Sequence, residues 1–194
     1  MLLRNVSGNA IETIEQFALK VQNIDFGTYD TMPVTPQQLL TELENLNIHY
    51  DSHFHPPLHT VEESQALRGK ITGGHCKNLF LKDKKGELWL IVCLEDALID
   101  MKTLNTKIGS ARLSFGRPEL LREILGVTPG SVTPFALIND SKTRVNVILD
   151  SEMMACEKLN YHPLSNEQTV TIRKEDLLVF IKSCGHKPRI VDIG

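Results

Sequence analysis

Two strand-like runs, residues 77–82 and 87–94, flank Asp83-Lys84-Lys85-Gly86, and this pairing restricts the fold more than any other feature of the chain. The connecting residues carry the turn chemistry of a β-hairpin. Further strands are expected around it. Residues 48–54 alternate Ile48, Tyr50, Ser52 and Phe54 with His49, Asp51 and His53, the pattern of a half-buried strand. Phe135–Ile138 and Val145–Leu149 read as a second hairpin turning at Asn139-Asp140. Val170–Ile172 is a short strand, and residues 188–192 form an edge strand with Pro188 at its start.

Helical patterns fall between these runs. Thr35 can cap a helix, Pro36 suits its first position, and Gln38 completes a capping box, with Leu39, Leu40, Leu43 and Leu46 as the buried stripe. Residues 60–67 and Leu98–Ile108 are further helices. Leu120, Leu121, Ile124 and Leu125 mark another that stops at Gly126, and Leu177, Leu178, Ile181 and Cys184 mark a last one ending at Gly185. Residues 10–23 fit a short amphipathic helix, and Gly27, Asp30, Pro33 and Pro36 make a linker after it. The expected organisation is an N-terminal extension over 1–34 and one domain over 35–194. Its fold class is mixed α/β of the α+β type: a mostly antiparallel mixed sheet surrounded by helices, not a doubly wound nucleotide fold.

Hydrophobic residues make up 41% and charged residues 23% of the 194 positions, a globular balance rather than a disordered one. No apolar run is long enough to span a bilayer, and the first residues lack the apolar core of a secretory signal, so neither a membrane nor export is expected. The four cysteines are scattered without a C-x-x-C pair, which fits a reducing cytoplasm. The net charge of −3 gives no global attraction to a polyanion, and DNA is not an expected partner. The charge is uneven: −7 over residues 1–63, +4 over 64–125 and zero over 126–194. The middle third carries either a local basic face or ordinary surface variation.

Several stretches could carry chemistry. His49, Asp51, His53 and His55 share one face of an extended segment, with His59 nearby, which is either a ligand-rich surface or the solvated side of a strand. Their spacing matches no familiar zinc pattern, and neither a metal nor a cofactor is expected. No G-x-S-x-G, Walker, G-x-G-x-x-G or H-E-x-x-H motif is present. Cys93 lies in an apolar run and reads as a core thiol. Period-2 alternation puts Lys77 on the face of Leu79 and Leu81. It is either a strand-end cation that reaches solvent or an ammonium at the mouth of an apolar cleft, where a phosphate or a developing oxyanion would meet it. Thr128-Pro129-Gly130-Ser131-Val132-Thr133-Pro134 is a stiff loop able to aim backbone N–H groups, or an ordinary connection between elements. His162 precedes Pro163 and is therefore biased to extended backbone, either orienting water or substrate or serving the structure.

Taken in order, the blocks His55-Pro56-Pro57-Leu58-His59-Thr60-Val61-Glu62-Glu63, GGHCKNLFLKDKKGELWLIV, RLSFGRPELLREILGVTPGSVTPFALIND, VILD and YHPLSNEQTVTI resemble the YbaK/prolyl-tRNA-synthetase editing-domain family, and within it the freestanding alanyl-tRNA(Pro) deacylases of the PrdX or ProX type. The resemblance spans roughly residues 35–190. It implies a mixed, largely antiparallel sheet wrapped by helices and hydrolysis of the ester joining alanine to a tRNA for proline, with mischarged tRNA as partner; the neutral-to-acidic pI suggests weak affinity for tRNA, so another protein such as prolyl-tRNA synthetase is expected to help present it. It also implies the site. Lys77 matches the family's functional lysine, with Asn78 beside it. Gly130, Ser131, Val132, Thr133 and Pro134 match its G-x-x-x-P substrate loop, and His162 its pocket histidine. Val61 and Ser64 match positions lining the amino-acid pocket, and Arg112 a position at the acceptor stem. The residues leave other readings open: a relative that clears cysteine or another small residue from tRNA, a catalytically silent tRNA-binding or regulatory module, and a His-cluster metalloprotein.

Overall fold

A computed structural model describes residues 32–56 and 71–194. The helices expected at 10–23 and 60–67, and the pocket positions Val61 and Ser64, lie outside the described residues. In chain order the described elements are α1 (Pro36–Asn45), β1 (Asp51–Phe54), β2 (Gly74–Asp83), β3 (Leu88–Leu94), α2 (Leu104–Ile108), β4 (Leu113–Phe115), α3 (Pro118–Leu125), β5 (Val145–Asp150), β6 (Lys158–Tyr161), β7 (Gln168–Arg173), α4 (Lys174–Ser183) and β8 (Arg189–Val191). Two short 3₁₀ turns, Pro134–Asn139 and Met153–Ala155, flank β5.

The strands form one mixed sheet in the order β1-β7-β6-β2-β3-β5-β8, with β4 also on β2. β2 pairs antiparallel with β3 and β4, and β7 antiparallel with β1 and β6. β2–β6, β3–β5 and β5–β8 are parallel. Two apolar layers sandwich the sheet, and the alternation of each strand assigns its residues to one or the other. Phe80, Leu88, Leu90, Val92, Val147 and Leu149 join the large core under α1, α3 and α4. Leu81, Trp89, Ile91, Cys93 and Ile148 join a smaller core under α2. Because both faces are covered, β3 reads as the unbroken apolar run LWLIVCL rather than as an alternating strand.

Local chemistry sets the elements that were legible. Thr35 and Gln38 form the capping box of α1, and Leu39, Leu40 and Leu43 are buried along it. Gly126 ends α3 in the left-handed region, where a Cβ would also strike Pro33. The Asp83–Gly86 turn joins β2 to β3 as expected, with Asp83 accepting from the N–H groups of Lys85, Glu87 and Ala111.

Three expectations are corrected. Pro134–Asn139 is a 3₁₀ turn, not a strand of a hairpin. Pro134 has no N–H for a ladder and takes the first helical position, the Thr133 hydroxyl accepts from the Phe135 N–H, and Phe135, Ala136 and Leu137 are all fully buried with no alternation. The turn residue Asp140 does organise the chain there, accepting from the Val145 N–H at the start of β5. Helix α2 covers only Leu104–Ile108 of the expected 98–108, because the Asp100 carboxylate accepts from the Lys102 N–H and the Thr103 hydroxyl and holds a turn instead. Residues 48–54 yield only the edge strand β1. Ile48 is pulled into the core by its N–H bond to the Leu43 carbonyl past the left-handed Asn47, while Phe54 is 81% exposed on the sheet margin.

Candidate active site

The site grows out of an interruption along one edge of β2. β3 occupies the other edge continuously from Cys76 to Lys82. On the free edge, β6 pairs only with Gly74 and His75, and β4 only with Leu81 to Asp83. A notch is therefore left beside Lys77, Asn78 and Leu79. Alternation sends Lys77 and Asn78 to opposite faces of the sheet there.

On the smaller-core face, Lys77 lies with Leu79 and Leu81, as its sequence position predicts. Its side chain is half-buried, and its Nζ donates to the Ala97 carbonyl. Cys93 is its cross-strand neighbour. Burial pushes that thiol up to about 11, and the Lys77 ammonium draws it partly back. β6 contributes to the same face. Leu159 and Tyr161 point into the large core, so Asn160 and His162 point the other way. His75 pairs with Asn160 in parallel register, the last pair of that ladder, and His162 follows two residues later on the same strand face.

His162 Nδ1 lies 3.1 Å from the Gln168 carbonyl. A carbonyl only accepts, so Nδ1 carries the proton and Nε2 keeps its lone pair. Burial holds the imidazole below its ordinary pKa. The neighbouring His55 acts in the same direction, against the Gln168 carbonyl and the charge of Glu95. His162 is thus a neutral acceptor at neutral pH.

On the large-core face, Asn78 Nδ2 donates to the Val132 carbonyl at 2.9 Å, which ties the proline-flanked loop to β2. Among the described residues, Asn78 Oδ1 is buried without a partner. Gly130 has φ 91°, a conformation that favours glycine, and no atom stands within 4 Å of where its Cβ would be. The Ser131 N–H is taken by the Thr128 carbonyl at 3.0 Å, whereas those of Gly130 and Val132 make no hydrogen bond among the described residues. Thr133 is fully buried and Pro134 is buried, both serving the 3₁₀ turn.

The sequence-derived candidates thus separate into two groups, Lys77 with His162 on one face of the notch and Asn78 with the Gly130–Pro134 loop on the other. No hydrogen bond joins Lys77 to the loop among the described residues. Arg112 is exposed at the far end of β2, where its carbonyl accepts from the Lys84 N–H at 3.1 Å. Seven residues of extended chain between Lys77 and Lys84 correspond to about 23 Å.

The structure brings two further residues to the site: His55, which the sequence offered only as part of a histidine-rich strand face, and Glu95. His55 stands with its ring centroid 6.2 Å from that of His162. Its position before Pro56 is the signal that drew attention to His162, and it applied equally here. Glu95, just past β3, donates its N–H to the His75 carbonyl. It also helps to line a cavity of about 570 Å³ between Thr72–His75, Leu94–Asp96 and Cys156–Lys158. This hollow lies close to Ala97, which holds Lys77, and its lining sets the carboxylates of Glu95, Asp96 and Glu157 beside the ammonium of Lys158. Among the described residues no three His, Cys, Asp or Glu side chains converge as a metal site, and no helix is long and apolar enough to cross a membrane.

Comparison with known proteins settles the family. A model of the aminoacyl-tRNA editing domain matches residues 55–180, which contain the whole notch. The chain belongs to the aminoacyl-tRNA editing domain family. Among its relatives, the prolyl-tRNA editing protein ProX of Acetoanaerobium sticklandii is 35% identical to this editing domain protein over 158 residues, covering 81% of this chain and 96% of that one. Prolyl-tRNA synthetase associated domain-containing protein 1 of Xenopus laevis is 36% identical over 160 residues, covering 80% and 95%. A solved structure described as a candidate trans-editing enzyme for prolyl tRNA synthetase superposes with a TM-score of 0.63 at 19% identity, covering 83% of this chain and 99% of that one. That likeness establishes the editing-domain fold.

Proposed function

We propose that the protein is a trans-editing deacylase that hydrolyses the ester of alanyl-tRNA(Pro). The observation that carries this reading is the pair on one face of the sheet beside the notch: a half-buried ammonium and an imidazole whose Nε2 makes no hydrogen bond among the described residues. The family and its freestanding relatives support it.

In this mechanism the 3′ end of the tRNA enters at the notch. Lys77 exchanges the Ala97 carbonyl for a phosphate or ester oxygen, anions that an ammonium binds more strongly than a neutral carbonyl. His162 Nε2 takes the proton of the attacking water, directly or through the ribose hydroxyl beside the ester, and returns it to the ribose oxygen as the acyl bond breaks, releasing alanine and the free tRNA 3′ end. The carbonyl oxygen turns to the open N–H groups of Gly130 and Val132, where each donor aimed at a developing oxyanion contributes about 3 kcal/mol. Ser131 shapes this loop through its bond to Thr128. Asn78 holds it against β2 and offers Oδ1 to a donor on the substrate, which relieves the cost of an unmatched buried acceptor. Alanine is selected by size, with Val61 and Ser64 assigned to the pocket wall, so that larger side chains are excluded as in a double sieve. With a sequence pI near 6.2, affinity for tRNA alone is low, and prolyl-tRNA synthetase presents the substrate.

The decisive experiment is hydrolysis of a panel of alanyl-, seryl- and cysteinyl-charged tRNAs. Preferential release of alanine from tRNA(Pro) is expected. Preference for cysteine would move the protein to another editing specificity. Binding to tRNA with no cleavage of any ester would make it a non-catalytic module.

A further inference from the structure

We infer that His55 is a positioning residue for His162, a ring fixed beside the accepting imidazole so that Nε2 of His162 stays neutral and aligned. This rests on the deacylase reading for its consequence in catalysis, but not for its structural content.

The placement of His55 is specified along the chain. Its backbone N–H bonds the Glu167 carbonyl at 3.1 Å and so extends the β1–β7 ladder by one residue beyond Phe54. Its ring is then held at both nitrogens. Nδ1 donates to the Pro56 carbonyl at 2.9 Å, and the Thr169 hydroxyl lies 3.0 Å from Nε2, donating to it when the ring is neutral. His162 is held in turn through Nδ1 by the Gln168 carbonyl. Both imidazoles are therefore fastened to neighbouring residues of β7, with their rings 6.2 Å apart at 59°. A ring fixed at both nitrogens cannot swing away, and the separation is short enough for charge on one to oppose charge on the other.

The charged and titratable groups on the surrounding elements fix the direction. His53 and His55 come from β1 and its extension, His75 and Lys77 from the shared face of β2, Glu95 from the end of β3, and Glu167 from the turn before β7. Among those that act on His162, His55 opposes protonation and Glu95 favours it. Lys77 is a further cation on that face. Removing His55 leaves Glu95 with less opposition, so His162 takes up a proton at higher pH and loses its accepting lone pair there. The activity that needs a neutral imidazole then disappears over a range in which the wild type still works.

The test is a titration of the imidazole nitrogens by NMR on the full chain, for wild type, His55→Gln and His55→Ala, alongside pH profiles of alanyl-tRNA(Pro) hydrolysis. Glutamine keeps a polar group near Thr169 but cannot titrate. In His55→Gln the midpoint of His162 should rise, because the neighbouring ring that opposes its protonation is gone. The acid limb of kcat should move with it while KM stays within twofold. In His55→Ala the same rise should be joined by a fall in kcat of about tenfold. An unchanged His162 midpoint in His55→Gln overturns the inference, whether or not His55→Ala folds. If the wild type hydrolyses no aminoacyl-tRNA, the deacylase reading fails while the titration still decides whether His55 governs His162.

Discussion

An ammonium group beside apolar side chains keeps its charge only if oxygen atoms face it. Lys77 has one such oxygen, the Ala97 carbonyl, and three protons to give. In the proposed mechanism the remaining capacity is what receives substrate oxygens. Lys77→Ala is expected to lower kcat for alanyl-tRNA(Pro) by about 10²–10³, the scale of losing one charge-stabilising donor, with the melting temperature little changed because a neutral carbonyl is its one hydrogen-bond partner among the described residues. Retention of full activity would remove Lys77 from the mechanism. The proposed mechanism gives the neighbouring thiols no part. Burial pushes Cys76 up to about 12 and Cys93 to about 11, so both remain protonated well above neutrality. Treatment of the native protein with iodoacetamide at pH 8 should leave these two residues unmodified, read by peptide mass analysis. Rapid labelling of either would show that its thiol is not held in the protonated form.

At the scale of elements, the hairpin depends on a single carboxylate. Burial alone would raise the pKa of Asp83, but N–H groups of Ala111, Glu87 and Lys85, with the Trp89 side chain, together hold it below the ordinary carboxylate value. A lowered folded-state pKa contributes stability that is present above the unfolded value near 3.8 and is lost as pH falls through the folded one. Asp83→Ala leaves three backbone donors unmatched and should cost about 2 kcal/mol, measured by urea unfolding at neutral pH. The difference between variant and wild type should narrow in acid, and a cost that persists undiminished at pH 2 would show that the charge is not its source. The same turn explains what was legible in the sequence. Asp83–Gly86, the Thr35–Gln38 capping box and Gly126 each announce themselves because their chemistry is complete within a few residues. Pro134–Asn139 was misread because a run buried on every side carries no periodicity, and β6 was not recognised because only four residues of it pair. In β1, Ile48 and Phe54 look like one apolar stripe, yet one belongs to the core and the other to the open margin.

Over the whole molecule, the site is assembled from pieces whose relation no local pattern reveals. Lys77, Asn78, the Gly130 loop and His162 could each be picked out as residues. That Lys77 and Asn78 face opposite sides of a break in the sheet follows from two short strands, β4 and β6, meeting the same edge of β2. His55 and His162 meet only because β1 and β6 flank β7. The long-range arrangement also orients the basic middle of the chain. Lys82, Lys84, Lys85 and Arg112 are all exposed at the end of β2 remote from the notch. With the 3′ end at Lys77, a duplex stem leaving the notch along β2 would meet these cations after about 23 Å of strand, too far for them to touch the ester. Arg112 should therefore act on binding and not on chemistry. Arg112→Ala is expected to raise KM for alanyl-tRNA(Pro) several-fold with kcat unchanged, and to reduce the slope of log affinity against log salt by about one, the signature of one lost phosphate contact. A fall in kcat with an unaltered salt slope would place Arg112 within the catalytic machinery and require the stem to leave the notch by another path.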